Sequence, residues 1–237
     1  MKIFVMTIRC LAVITALCLN NQVCLAGEQT KQENTTKKAK VHHLSPIAPK
    51  ASEAFKRQND DLKKLMLQLY QCNQKDLLKS TKVSAEELVQ WVFEGPFGWK
   101  FEAIRRMQSV DALSLSFNEQ YQGDRILPLI TGLHTMLVSA YGGENEFKFT
   151  KTISPKHLYD AAHNIEITRF KLINPSNDVH HFNANCTSEQ INEIETTFTN
   201  IIKRTNQYVQ SIDHAGSMRE SIVSVDYSSA DFIKMAY

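Results

Sequence analysis

Hydrophobic positions along this chain recur mostly at helical spacing. Over residues 52–79, Phe55, Leu62, Leu65, Leu69 and Cys72 fall on the a and d positions of a heptad, with Gln58 the polar exception. Ser84-Ala-Glu-Glu87 has capping-box spacing, so a short helix is expected from there to about Glu94. Gly95-Pro96-Phe97-Gly98 must end it, because proline lacks an N–H and the two glycines permit a sharp turn. Phe101, Ile104, Met107 and Val110 then recur every third residue and predict another helix. Leu113, Leu115 and Phe117 alternate with serines, which allows a short strand over 113–118.

Asp124 is placed to cap a helix carrying Ile126, Leu127, Leu129, Ile130, Leu133, Met136, Leu137 and Ala140, stopped by Gly142-Gly143. This segment is apolar around much of its circumference, the mark of a central core helix. Phe147 and Phe149 follow in a polar stretch that suits an extended link over 146–151. Ser154-Pro155 opens a helix to about Leu172, which Asn174-Pro175 closes. Thr187 and Gln190 form a second capping box. From there Ile191, Ile194, Phe198, Ile201, Thr205, Tyr208 and Ile212 keep an a/d stripe over 187–212. Phe232, Ile233 and Met235 suggest a short final helix. The pattern predicts an all-α or mostly α protein, with residues 51–237 as a single helical, bundle-like domain.

The first 50 residues differ. Lys2 and Arg9 precede an apolar run, Cys10–Leu19, and Cys24 and Ala26 supply small residues before Gly27. That is the layout of a secretory signal cleaved after residue 26. Ten apolar residues would span about 15 Å, half of a bilayer core, which disfavours an uncleaved anchor. Residues 27–50 are polar and Lys-rich and read as a flexible tether, with His42-His43 as solvated side chains rather than metal ligands. No later segment is apolar enough to predict a membrane span. Removing the signal takes away Lys2 and Arg9, leaving 25 of the 27 basic residues against 25 acidic ones. A neutral chain does not suit a nucleic-acid binder. The same cut leaves two cysteines, Cys72 and Cys186, and an exported pair without a competitor predicts one disulfide.

Local chemical motifs are absent: no P-loop, dinucleotide fingerprint, GxSxG, HExxH, EF-hand, CxxCH or zinc-spaced cysteines occurs. No cofactor is therefore expected. Asp160 and His163 have the i, i+3 spacing of a metal-binding pair, but no second such pair exists to complete a di-metal bundle site. His134 is unusual inside the most apolar segment, where an imidazole normally needs a hydrogen-bond partner. The densest aromatic stretch, Trp91–Phe101, holds both tryptophans. Trp91, Phe97 and Trp99, with Arg105 and Arg106 downstream, are candidate binding residues, either for a partner or for peripheral contact with a membrane surface. Packing at the end of a helical core is the competing role for the rings. Asn34-Thr-Thr and Asn185-Cys-Thr match the glycosylation acceptor pattern.

The leading expectation is an exported, periplasmic or extracellular, non-enzymatic helical protein that binds a protein or other component of the cell envelope. One alternative is a metal- or ligand-dependent enzyme or carrier with a dispersed site at His134, Asp160 and His163. Another is a structural homo-oligomer joined through the 187–212 stripe.

Overall fold

A computed structural model describes residues 50–174, 182, 184–213 and 231–235, all within a unit spanning Leu44–Tyr237. The expected signal, most of the tether, His42-His43 and Asn34 lie outside the described residues. Those residues form α1 (Ala51–Cys72), α2 (Gln74–Ser80), α3 (Ala85–Glu94), a 3-10 turn (Glu102–Ile104), α4 (Ser109–Ser116) and α5 (Ile126–Ala140). A hairpin of β1 (Gly143–Asn145) and β2 (Lys148–Phe149) follows, then α6 (Pro155–Ile173) and α7 (Ser188–Ile212). The mostly α class expected from the pattern is what forms. No described helix is long and apolar enough to cross a membrane.

The two heptad helices, α1 and α7, lie antiparallel, joined by polar rungs that ascend one helix as they descend the other. Gln58 Nε2 donates to Thr205 Oγ1 at 2.9 Å, Arg204 Nε to Asp61 at 2.8 Å, and Thr197 Oγ1 to Gln68 Oε1 at 2.9 Å. Cys72 and Cys186 close the series as a disulfide with Cα atoms 4.8 Å apart. The expected Thr187–Gln190 capping box is present in both directions. The apolar stripe of α7 is spent on α1 and α6: Ile194, Phe198, Ile201 and Tyr208 are all buried. Ile191 and Ile212, at the two ends of the stripe, are only partly buried.

Helix α5 is the centre of the core, buried along nearly its whole length. Its start is fixed from outside the helix. Asp124 Oδ1 accepts the Ile126 N–H at 2.8 Å, while Asp124 Oδ2 accepts the Tyr70 and Ser80 hydroxyls at 2.5 Å each. Burial raises the Asp124 carboxyl above its ordinary range and pushes the Tyr70 phenol up still more strongly. Arg125, also buried, donates to the carbonyls of Ser116, Asn118, Glu119 and Tyr121, which ties down the α4–α5 connection.

Four expectations fail for local reasons. The helix expected over 52–79 is interrupted at Asn73, whose amide donates to Leu69 O at 2.8 Å and Phe182 O at 2.7 Å, diverting the backbone beside the disulfide. The helix expected over 101–110 is a 3-10 turn followed by left-handed Arg105 and Arg106. The strand allowed over 113–118 is helical through Ser116: Ser109, Ala112, Leu113 and Ser116 are buried at i, i+3, i+4 and i+7, where small serines let α4 lie close to α5. The described tail, 231–235, is not helical; Asn164 grips it instead, donating to Ile233 O at 2.9 Å and accepting the Ile233 N–H at 2.7 Å. The extended link expected over 146–151 is partly present as β2.

Candidate functional site

The Trp91–Phe101 stretch divides between core and surface. On α3, Phe93 points inward while Trp91 is 50% exposed, since residues two apart project on different faces of a helix. Past the Gly95 turn, Phe97 is 47% exposed and Trp99 only 4%. Trp99 lies flat on His134 of α5, ring centres 3.5 Å apart and planes 13° from parallel. Phe93 meets the tryptophan edge-on at 5.0 Å, and Phe55 and Phe93 meet the imidazole edge-on at 5.2 and 6.1 Å. His134 is therefore enclosed by aromatic rings, 1% exposed, and its Nδ1 is buried without a hydrogen-bond partner. Burial alone holds this imidazole well below its ordinary pKa, so it is neutral at physiological pH.

The loop that carries Trp99 to α4 is strained. Trp99, Arg105, Arg106 and Ser109 have φ of 60°, 54°, 57° and 49°, in the left-handed region that costs a non-glycine residue on the order of 1–2 kcal/mol. Specific anchors impose this path. The Arg105 N–H donates to Glu102 O and the Arg106 N–H to Phe101 O, each at 2.9 Å, around the buried side chain of Ile104. Gln108 Nε2 reaches back to Trp99 O at 3.3 Å, and the Ser109 N–H donates to Thr135 Oγ1 at 2.7 Å. Arg106 is paired with Glu102, whereas no ion pair to Arg105 forms among the described residues.

Facing this loop is the β1–β2 hairpin, which begins at the left-handed Gly142 (φ 76°). A side chain there would meet Lys151 O at 2.5 Å, so the residue must be glycine. The hairpin carries one extra residue, Glu144, in β1, and Phe147 at its tip is 86% exposed. Lys148 and Thr150 hold the Glu144 carboxyl below its ordinary pKa. Between loop and hairpin runs an open cleft of about 900 Å³. Its α5 side presents His134, Thr135, Val138 and Ser139, one face of the helix; Gln108 to Asp111 form one wall, Gly143 to Glu146 the other, and Lys234 and Met235 are also part of the lining.

Of the candidate residues, Trp99, Arg106 and His134 line this cleft, while Trp91, Phe97 and Arg105 do not. Asp160 and His163 do not join His134: Asp160 is paired with Lys156 on the outside of α6, and no group of three His, Cys, Asp or Glu side chains able to hold a metal occurs among the described residues. The hairpin wall and Ser109 escaped the sequence pattern. A signal was present, however, in Thr131, His134, Thr135 and Ser139, polar positions recurring on one side of an otherwise apolar helix. No protein-family model matches this chain, and no curated protein or solved structure matches it either.

Proposed function

We propose that this is an exported, non-enzymatic binding protein of the cell envelope that works through the cleft between the 98–111 loop and the hairpin. The observation that carries the reading is the floor of that cleft, a buried imidazole with an unpartnered Nδ1 beneath Trp99. An orphaned buried polar atom costs about 1–3 kcal/mol, a cost that packing alone does not explain. A volume of about 900 Å³ falls in the range of small-molecule sites. Enzymatic chemistry lacks comparable support. Among the described residues no carboxylate hydrogen-bonds the buried His134 Nδ1 to relay a proton. Export is supported by the signal-like N-terminus and by a disulfide of the kind that persists outside the reducing cytosol.

Native mass spectrometry of the protein recovered from its exported fraction tests both parts. The expected result is a chain lacking its first 26 residues, carrying an organic mass that Ser139→Trp, which fills the cleft from its floor, removes. An uncleaved cytoplasmic chain would refute export. Retention of the same mass by Ser139→Trp would refute the cleft.

A further inference from the structure

We infer that the occupant of the cleft is a short peptide with free termini; this rests on the binding reading above and names its ligand class. Charge is the first argument. Lys100, Lys151 and Lys234 line the cleft without an ion pair among the described residues, and so do Asp111 and Glu146. The neighbouring Arg106 and Glu144 are, by contrast, already neutralised by Glu102 and Lys148. Unsatisfied charge of both signs along one cleft suits a molecule that carries both. A polyanion would meet Asp111 and Glu146, and a polycation would meet the three lysines. An ammonium and a carboxylate at the two ends of one small molecule meet neither repulsion.

The uncharged part of the lining narrows the class further. Gln108 and Asn145 are on the two walls; beyond the bonds Gln108 makes to Trp99 O and Asn145 accepts from the Phe147 N–H, each carboxamide keeps donor and acceptor capacity for a peptide group. Ser139 adds a single polar contact on the floor, where His134 lies buried under Trp99. Met107, Val110, Val138 and Met235 offer apolar surface for side chains. A sugar ring would need an open aromatic face to stack on. Trp99 has none: it is only 4% exposed, stacked on His134 and packed at T-shaped angles against Phe93 and Phe101. The β1 edge does not serve as a strand template, because Glu144 bulges it. Recognition is therefore by side chains and termini rather than by sheet extension.

The test is equilibrium binding of the protein, purified from the cells that make it, to a pool of tetrapeptides. The pool is offered uncapped and, in parallel, acetylated and amidated. Uncapped peptides are expected to bind at submillimolar concentration, and capping both ends to weaken binding by about tenfold or more, the loss of one charge-assisted contact at 1.4 kcal/mol. Lys151→Glu and Asp111→Lys reverse charge at the cleft rim. Each is expected to weaken uncapped binding several-fold while leaving the melting temperature within a degree or two of wild type, as surface substitutions do. Equal binding of both pools, or indifference to both charge reversals, overturns the inference. If a non-peptide compound is instead retained and Ser139→Trp releases it, the peptide inference falls and the cleft reading stands. If nothing is retained, both fall.

Discussion

Gly132, in the middle of α5, links the packing of the core to the shape of the cleft. A Cβ built there lies 2.7 Å from Leu113 Cγ and 2.8 Å from the carbonyl oxygen of Ser109. The leucine can shift, but the Ser109 carbonyl belongs to a backbone already held left-handed (φ 49°) by the hydrogen bond from its N–H to Thr135. Gly132→Ala must therefore push α4 away from α5 or break that bond. Overpacking of this kind costs about 1–3 kcal/mol, while alanine returns roughly 1 kcal/mol of helix propensity, so a net loss of up to about 2 kcal/mol is expected. In a chain of this size that lowers the melting temperature by about 4 °C. Urea denaturation followed by far-UV circular dichroism measures the loss, and ligand retention measures the movement of Ser109 in the cleft wall. A Gly132→Ala protein that gains stability, as propensity alone dictates, refutes the close α4–α5 crossing.

Reduction of Cys72–Cys186, which are 114 positions apart, opens the loop between them and is expected to cost on the order of 4–5 kcal/mol; a melting temperature indifferent to reductant would contradict it. Asp124→Ala leaves the Tyr70 and Ser80 hydroxyls and the Ile126 N–H without their acceptor, a loss of about 3 kcal/mol or more, to be read in the same urea titration. His134 gives a pH dependence of known sign. Its folded pKa lies below the unfolded value of about 6.5, so its contribution to stability is complete above that pH. The contribution shrinks as pH falls toward the folded value, by at most about 1.4 kcal/mol per pH unit. The groups packed on the ring, Phe55, Phe93 and Trp99, do not titrate in that range. A His134→Phe protein with an unchanged acid limb would dismiss the assignment.

The elements that periodicity located are those whose partners recur along a helix. The a/d stripes of α1 and α7 and the Thr187–Gln190 box need only local spacing, and the cysteine pair needs only export and the absence of competitors. Where side chains far along the chain decide, the pattern misleads. Phe101, Ile104, Met107 and Val110 keep a helical rhythm, yet Trp99 stacking on His134 and Ser109 bonding to Thr135 bend that segment through left-handed residues. Asn73 ends α1 because it reaches Phe182, more than a hundred residues away. The alternation at 113–118 has the period of a strand, but Gly132 leaves room for the Leu113 side chain and the Ser109 carbonyl, and the segment packs on α5 as a helix. The cleft was legible in fragments: His134 and Trp99 stood out singly, and nothing in the linear order brings them face to face.

His134 is the position where packing and binding pull in opposite directions. As a core residue it is poorly chosen, since a phenylalanine would fill much the same space among Phe55, Phe93 and Trp99 without an unpartnered nitrogen. His134→Phe is therefore expected to stabilise the empty protein by about 1–3 kcal/mol, the desolvation cost of one orphaned polar group. If the imidazole is there to meet a ligand, the same substitution weakens ligand retention while the melting temperature rises, the opposed pair of effects expected where stability has been given up for function. A substitution neutral for retention would make His134 a packing residue and move recognition to the rim charges, Lys151 and Asp111. One that destabilises the protein would mean that the Trp99 stack depends on the imidazole itself, and that the left-handed loop is held in place by that contact.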